Sequence, residues 1–180
     1  GFASVFLSIT RLLTACLLLL STQVSAMEAG LPLLKNFKPK DYNAGTQNWA
    51  LLQDSDGLIY AGNNVGVLEF DGVHWRTLAT TNQSVVRSLA LGTDGRIYVG
   101  AKGDLGYINK SQPQGAQFVS WRDRIPAAYR NFQDIRQTFV TDQGVLFVAR
   151  SYLFLINDQE VRSWTSESAF MKAFQLNDRI

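Results

Sequence analysis

Cysteine and histidine are almost absent from this sequence, which holds one of each in 180 residues, Cys16 and His74. A disulfide needs two cysteines, and structural zinc sites take four ligands, mostly cysteine and histidine. We therefore expect no intrachain disulfide, no bound metal and no other cofactor. A catalytic triad is also unsupported, because His74 stands between Val73 and Trp75 in a predicted outer strand, where we expect a surface or packing role.

Excess charge of either sign is lacking as well. The chain has 17 Lys and Arg against 15 Asp and Glu, a formal net charge of +2. A domain that binds nucleic acid or anionic lipid through its bulk charge is usually far more basic, so nucleic acid is not an expected partner. With 46% hydrophobic and 12% aromatic residues and only 4 prolines, the composition indicates a folded globular protein.

The apolar run at 12–20 is short. A spanning helix needs roughly 20 apolar residues, but Arg11 precedes this run and the polar residues 21–23 end it. With the small residues at 24–26, the segment predicts a cleaved secretory signal peptide over 1–26. A retained anchor and lipidation of Cys16 are the alternatives. Apolar residues continue after Cys16, whereas a lipidated cysteine follows the apolar core, so the signal peptide is favoured.

A motif repeats along the rest of the chain. Asp56–Gly62 returns as Asp94–Gly100 and, in weaker form, as Asp142–Ala149. The turn glycines of the copies are about 40 to 50 residues apart, and each copy is followed by a tryptophan: Trp75, Trp121 and Trp164. Strands of period 2, separated by Asp-Gly turns in units of about 40 residues, are typical of the blades of a β-propeller.

We therefore predict an all-β fold, a β-propeller of four-stranded antiparallel blades. After a lead-in segment at 27–47, the partial propeller covers 48–180, with blades near 48–80, 85–122 and 132–165 and the start of a fourth at 170–180. Propellers close with about four to eight blades, so we expect the N-terminal fragment of a larger domain. The alternative is an open β-sandwich of antiparallel hairpins, but the two landmarks that repeat in phase favour the propeller.

Several short motifs carry a resemblance to a known family. They are Gly-Leu-Pro at 30–32, Phe37, Asp41 with Tyr42, Gln-Asn-Trp at 47–49, residues 66–72 with Trp75, Val-Arg-Ser-Leu at 86–89 and residues 104–107. Together, over about residues 30–180, the chain resembles the two-component-regulator-type β-propeller. Arg150, Ser151 and Tyr152 depart from the glycine-rich turn of that family.

The resemblance implies a ligand-sensing domain from the periplasmic part of a bacterial hybrid histidine kinase or diguanylate cyclase. In that family a small β-sandwich, a transmembrane helix and a cytoplasmic output module follow, all of which would lie beyond residue 180. We therefore expect an extracytoplasmic signal-transduction segment, anchored to the inner membrane downstream, that binds a small molecule or oligosaccharide and is not itself an enzyme. A secreted propeller enzyme of lyase or quinoprotein type and a secreted interaction scaffold stay open, and so does a homodimer.

One candidate ligand-binding set comes from aligning the repeats on their turn glycines. Trp49, Arg87 and Arg136 each lie eight residues before that glycine, and Lys172 takes the same place in the fourth blade. This position begins the innermost strand, near one mouth of the central channel, where repeated cations favour an anionic ligand. The alternative is that the arginines pair with carboxylates of neighbouring blades, such as Asp134.

A second candidate set lies in the loops on the same face, since loops on a rigid scaffold often carry binding residues. Its members are Asn63, Asn64, Lys102, Asp104, Arg150 and Tyr152. Two other motifs do not support a site. The glycines of 100–106 do not open a helix that could hold a phosphate, and Asp-Ser-Asp-Gly at 54–57 lacks the downstream glutamate of a calcium loop.

Overall fold

Antiparallel sheets dominate the structure, a computed structural model that describes residue 1 and residues 34–170 and 172–174. Within those residues it shows three four-stranded sheets and only one short α-helix. Consecutive strands are neighbours in every sheet, so each sheet is a meander of about the size predicted for one blade. The predicted all-β fold is confirmed.

The chain divides into two compact units, Gly1–Asn36 and Phe37–Ile180, and every element named below lies in the second. Apart from residue 1, the predicted signal peptide at 1–26 lies outside the described residues. The same holds for 27–33 of the lead-in segment and for 171 and 175–180 of the predicted fourth blade. In the described part of the chain, no helix is long and apolar enough to cross a membrane.

The strands follow one another without long connections. The first sheet contains β1 (Asn48–Gln53), β2 (Ile59–Asn63), β3 (Gly66–Phe70) and β4 (Trp75–Leu78). The second contains β5 (Val86–Leu91), β6 (Ile97–Ala101), β7 (Leu105–Asn109) and β8 (Gln117–Ser120). The third contains β9 (Ile135–Thr141), β10 (Gly144–Ala149), β11 (Tyr152–Ile156) and β12 (Val161–Thr165). Two 3-10 turns, Arg122–Arg124 and Ala127–Tyr129, connect the second sheet to the third.

The turns between the first two strands of the first and second sheets are built alike. Gly57 and Gly95 have φ angles of 85° and 77°, which a residue with a Cβ adopts only with strain. In the first turn the amide of Asp54 donates to the carbonyl of Leu58, and in the second the amide of Gly92 donates to the carbonyl of Arg96. The sequence repeat is therefore a repeat in backbone geometry.

Burial shows how the sheets stack. Strand β6 is buried along its whole length, because the second sheet has the first sheet on one face and the third on the other. The apolar layer between the first and second sheets includes Tyr60, Val67 and Ile97, and the layer between the second and third includes Trp121 and Phe147. Removing such side chains from water is the main stabilising contribution to the fold.

The first strands of the three sheets lie together, since β5 contacts both β1 and β9. This is the propeller-like arrangement in which the first strand of each blade is innermost. A buried polar contact joins two of these strands, because the hydroxyl groups of Ser88 and Thr138 lie 2.7 Å apart. The innermost strands therefore form a common wall, and side chains at their beginnings point toward a shared space.

The short helix α1 (Pro39–Tyr42) lies in the lead-in segment and was not predicted. Its Tyr42 is buried against the first sheet, and the rings of Tyr42 and Phe37 lie 5.5 and 5.2 Å from that of Trp75. A four-residue helix has too few positions to produce a period of 3.6, so the sequence pattern could not reveal it. The aromatic contacts attach residues 37–42 to the first sheet.

The residues after the third sheet also attach to it. The amide of Phe170 donates to the carbonyl of Arg150 at 2.7 Å. The side chain of Gln137 bonds to both backbone groups of Ala173, at 2.7 and 2.8 Å. Phe170 and Ala173, from the start of the predicted fourth blade, therefore contact the third sheet.

Candidate functional site

The first strand of each sheet contains one extra residue near its beginning. In β1 the pairing passes from Asn48 to Ala50, while the partner strand β2 advances by only one residue, from Asn63 to Gly62. Trp49 is thus left out of the ladder as a β-bulge. A bulge bends its strand and gives the extra side chain a new direction, which is why bulges are common beside binding sites.

The same irregularity recurs in the other two sheets. In β5 the pairing passes over Arg87, between Val86 and Ser88, and in β9 it passes over Arg136. Trp49, Arg87 and Arg136 therefore have the same backbone position in the first strands of three successive sheets. The bulges themselves could not be predicted, since they depend on the partner strands.

Four residues line a pocket of about 400 Å³ where these bulges meet: Trp49, Arg87, Asp134 and Arg136. We call it the arginine pocket. Trp49 is 44% exposed, and Arg136 is also exposed, so an aromatic face and a guanidinium group are open to a ligand. Arg87 and Asp134 are more enclosed, with side chains 27% and 25% exposed.

Arg87 is held between a ring and a carboxylate. Its guanidinium carbon lies 3.8 Å from the centre of the Trp49 ring, a cation–π contact. Its Nε lies 3.5 Å from Oδ1 of Asp134. This is the pairing with a carboxylate of a neighbouring blade that the sequence analysis gave as the alternative to ligand binding. The Trp49 ring is fixed in turn, because its Nε1 donates to Oδ1 of Asn64 at 2.9 Å.

The contact between Arg87 and Asp134 is incomplete. Arg87 Nε and Asp134 Oδ1 are buried, yet neither has a hydrogen-bond partner among the described residues. A buried polar atom without a partner costs about 1–3 kcal/mol, so a group that satisfied it would bind favourably. Arg136 has no carboxylate within ion-pair distance in the described part of the chain. The pocket therefore offers donors that no other side chain in the described ranges occupies.

Two of the predicted loop residues, Lys102 and Asn64, contact residues that line this pocket. Lys102 is exposed, and its backbone forms an isolated β-bridge with Asp134. Asn64 holds the Trp49 ring, as described above. Asn63, in contrast, is the last residue of β2 rather than a loop residue, and it is fully buried. Its side chain bonds to the backbone of Gly45 and to Asn48, so it has a structural role.

Asp104 is buried in the connection between β6 and β7, with 1% of its surface exposed. Its carboxylate accepts hydrogen bonds from the Ser120 hydroxyl at 2.5 Å and from the Leu105 amide at 2.9 Å. Burial raises the pKa of this carboxyl above its ordinary value, although these hydrogen bonds oppose the shift. These contacts hold Asp104 inside the second sheet, away from the pocket wall.

Three further predicted residues are placed on or beyond the third sheet. Tyr152 is the first residue of β11 rather than a loop residue, and its ring stacks parallel to that of Phe154, with centres 6.0 Å apart. Arg150 and Lys172 are exposed. These three are not among the lining residues of the arginine pocket, and ligand binding by them stays a prediction.

The sequence suggests Asp134 only as a pairing partner of the arginines, whereas in the structure it forms part of the pocket wall. The signal that could have found it is its place two residues before Arg136, where the chain enters the innermost strand. In the described ranges, no group of three or more His, Cys, Asp or Glu side chains could hold a metal ion. A scan against protein-family models and a search of curated proteins both found no match for this chain.

Proposed function

We propose that this chain is the extracytoplasmic ligand-sensing segment of a bacterial transmembrane signalling protein, and that its ligand binds in the arginine pocket. The observation that carries the proposal is the set of equivalent bulges that brings Trp49, Arg87 and Arg136 to one opening. The periplasmic location, the membrane anchor and the output domain follow from the family resemblance and belong to the same proposal. Under this proposal, the segment binds its ligand and does not catalyse a reaction of it.

The chemistry of the pocket favours a small anionic molecule or an acidic oligosaccharide. A guanidinium group presents paired donors that match a carboxylate, sulfate or phosphate, and Arg136 is exposed without a competing ion pair among the described side chains. Arg87 is already oriented by Trp49 and Asp134, so little side-chain entropy is lost when it binds. The exposed face of Trp49 can stack on the apolar face of a sugar ring.

Signalling requires more than binding. A ligand shifts a conformational equilibrium only if it binds one arrangement more tightly than the other. The arginine pocket is suited to this, because its walls come from all three sheets, through Trp49, Arg87 and Arg136. A ligand that bridges them would favour the arrangement in which the innermost strands are closest.

The substitution Arg136→Gln tests the site directly. We expect the full-length protein to bind at least one member of a panel of citrate, sulfated disaccharide and galacturonate oligomers. We expect Arg136→Gln to weaken that binding by about 10- to 100-fold, the loss of a charge-assisted hydrogen bond of about 1.5–3 kcal/mol. Isothermal titration calorimetry measures the dissociation constants.

Arg162→Gln is the matched control, since Arg162 is an exposed arginine in β12 that pairs with Glu160. It should leave anion binding unchanged. The proposal for the pocket is wrong if both variants weaken binding equally, or if neutral oligosaccharides bind the wild-type protein and none of the anions does.

Asp134→Asn should have the opposite effect. Its carboxylate carries the negative charge beside Arg87 and repels an incoming anion, while asparagine keeps the shape and one oxygen acceptor. We expect the affinity for the same anion to rise by roughly 3- to 10-fold, and the gain to shrink as the salt concentration rises, because salt screens the repulsion. Calorimetric titrations at low and high salt measure both effects. A fall in affinity would show that the carboxylate contacts the ligand as an acceptor.

A further inference from the structure

A second cavity lies between the second and third sheets, at the end of the strands opposite the arginine pocket. Its volume is about 420 Å³. Its floor includes the buried rings of Tyr98 and Trp121. Residues from three turns form its rim: Gly92 and the polar residues Asp94, Arg96, Asp142, Asn157 and Asp158. We call it the inter-sheet groove.

At the equivalent place between the first and second sheets, a lysine bridges the two sheets. Lys110 follows β7, and its Nζ lies 2.5 Å from Oδ2 of Asp54 and 3.8 Å from Oδ2 of Asp56, both in the turn after β1. The same ammonium group lies 5.6 Å from the centre of the Tyr60 ring. Two carboxylates and an aromatic ring of this fold thus hold an ammonium group between two sheets.

The two places correspond residue by residue. The turn hydrogen bonds described above show that Gly92 is equivalent to Asp54. In the same alignment Asp94 is equivalent to Asp56, and Tyr98 is equivalent to Tyr60. On the other side, Lys110 comes two residues after Ile108, which pairs with Ile97 of the neighbouring strand.

In the third sheet the residue at that position is Asn157. It comes two residues after Leu155, which pairs with Leu146, and Leu146 has the place of Ile97 in the repeat. The inter-sheet groove therefore keeps the aromatic ring and one carboxylate of the first arrangement. At the position of Lys110 it has Asn157, whose side chain is a neutral amide. At the position of Asp54 it has Gly92, which has no side chain.

The charges of the groove are not balanced. Among the lining residues, three carboxylates, from Asp94, Asp142 and Asp158, stand against the guanidinium of Arg96. A second guanidinium, that of Arg124, lies beside the groove, where it donates to the Asn157 carbonyl at 2.5 Å and lies 5.1 Å from the centre of the Trp121 ring, so one negative charge stays in excess. Arg96 lies 3.6 Å from Asp94 and 3.8 Å from Asp158, and its guanidinium carbon lies 4.8 Å from the centre of the Tyr107 ring. A concave site with excess negative charge attracts cations, and an aromatic floor favours an organic cation.

We propose that the inter-sheet groove binds a small molecule with a primary ammonium group, such as a polyamine or an amino sugar. The ammonium group takes the place that Lys110 Nζ has between the first and second sheets, near Asp94 and the Tyr98 ring. The ligand bridges the second and third sheets as Lys110 bridges the first and second. This site is distinct from the arginine pocket and does not depend on the function proposed for it.

The test uses the full-length protein with spermidine, glucosamine and N-acetylglucosamine in calorimetric titrations. We expect at least one of the two amines to bind, and N-acetylglucosamine, which lacks the charge, to bind at least 10-fold more weakly than glucosamine or not at all. Asp142→Asn with Asp158→Asn, two exposed turn positions, should weaken amine binding by roughly 3- to 10-fold. Asn157→Lys, which supplies an ammonium group from the chain itself, should weaken it further.

Asp123→Asn is the matched control, because Asp123 is a 91% exposed carboxylate outside the groove. It should leave amine binding unchanged. The proposal is overturned if neither amine binds at millimolar concentration, if Asp123→Asn has the same effect as the groove variants, or if N-acetylglucosamine binds as tightly as glucosamine. Arg136→Gln separates the two sites, since it should weaken anion binding and leave amine binding intact.

Discussion

The substitution Phe147→Ala is expected to lower the free energy of unfolding by about 3–5 kcal/mol. The Phe147 side chain is fully buried in the apolar layer between the second and third sheets, and its ring meets that of Trp121 edge to face at 6.4 Å. Removing the ring loses its transfer free energy and leaves a cavity that the paired strands on either side cannot close. Urea unfolding followed by tryptophan fluorescence measures the change.

Leu51→Ala is the control for this result. Leu51 is 74% exposed on the innermost strand of the first sheet, so its truncation should change the free energy of unfolding by less than about 0.5 kcal/mol. Equal effects of the two substitutions would mean that the second and third sheets do not pack through Phe147. The stacked arrangement of sheets would then be wrong.

Breaking the ion pair between Asp54 and Lys110 should have the second-largest effect. The Asp54 side chain is 1% exposed and accepts hydrogen bonds from Lys110 and from the amides of Asp56 and Leu58, at 2.5, 2.9 and 2.9 Å. Asp54→Ala leaves these donors unpaired, but Lys110 is 30% exposed and regains water. We therefore expect a loss of about 2 kcal/mol, below the 3–5 kcal/mol typical of fully buried pairs.

The same carboxylate should make stability depend on pH. Burial opposes its ionisation, but the hydrogen bond and charge of Lys110 and the two amides outweigh burial and hold the pKa of Asp54 below its ordinary value. Its contribution is therefore complete above pH values near 4, the ordinary pKa of aspartate, and is lost as the pH falls through the lower pKa of the folded state.

Asp54→Asn isolates this contribution, because asparagine can still accept a hydrogen bond but does not titrate. The free-energy difference between wild type and Asp54→Asn should be constant near neutral pH and shrink below pH 4. Asp123→Asn is the matched control for the loss of a surface carboxylate, because the Asp123 side chain is 91% exposed. A gap between wild type and Asp54→Asn that widens in acid would contradict the lowered pKa.

The strand pattern and the repeat could be predicted because they depend on local chemistry. Asp-Gly turns such as Asp56-Gly57 and Asp94-Gly95 need a glycine at positive φ, and apolar alternation between the turns reflects the pleat of a strand. Aligning the repeats on these glycines also selected Trp49, Arg87 and Arg136, since a residue a set distance before the turn has the same place in each innermost strand.

The details of the binding surfaces could not be predicted in the same way. Asn63, Asp104 and Tyr152 follow strands or turns in the sequence and look like loop residues, but neighbouring strands bury Asn63 and Asp104 and the Phe154 ring covers one face of Tyr152. Burial is a property of the partner surface, which lies many residues away in the chain. The lead-in helix was missed for the related reason that its stability comes from aromatic contacts with the first sheet.

By itself, therefore, the sequence determined the number of sheets, the positions of their turns and the three aligned residues at the start of the innermost strands. Only the tertiary structure decided that bulges turn those residues toward one pocket, that Asp134 joins them, and that a groove lies between the second and third sheets, where Gly92 and Asn157 have the positions of Asp54 and Lys110. The reason is physical: a strand and its turn form from neighbouring residues, whereas a pocket exists only between surfaces that packing brings together.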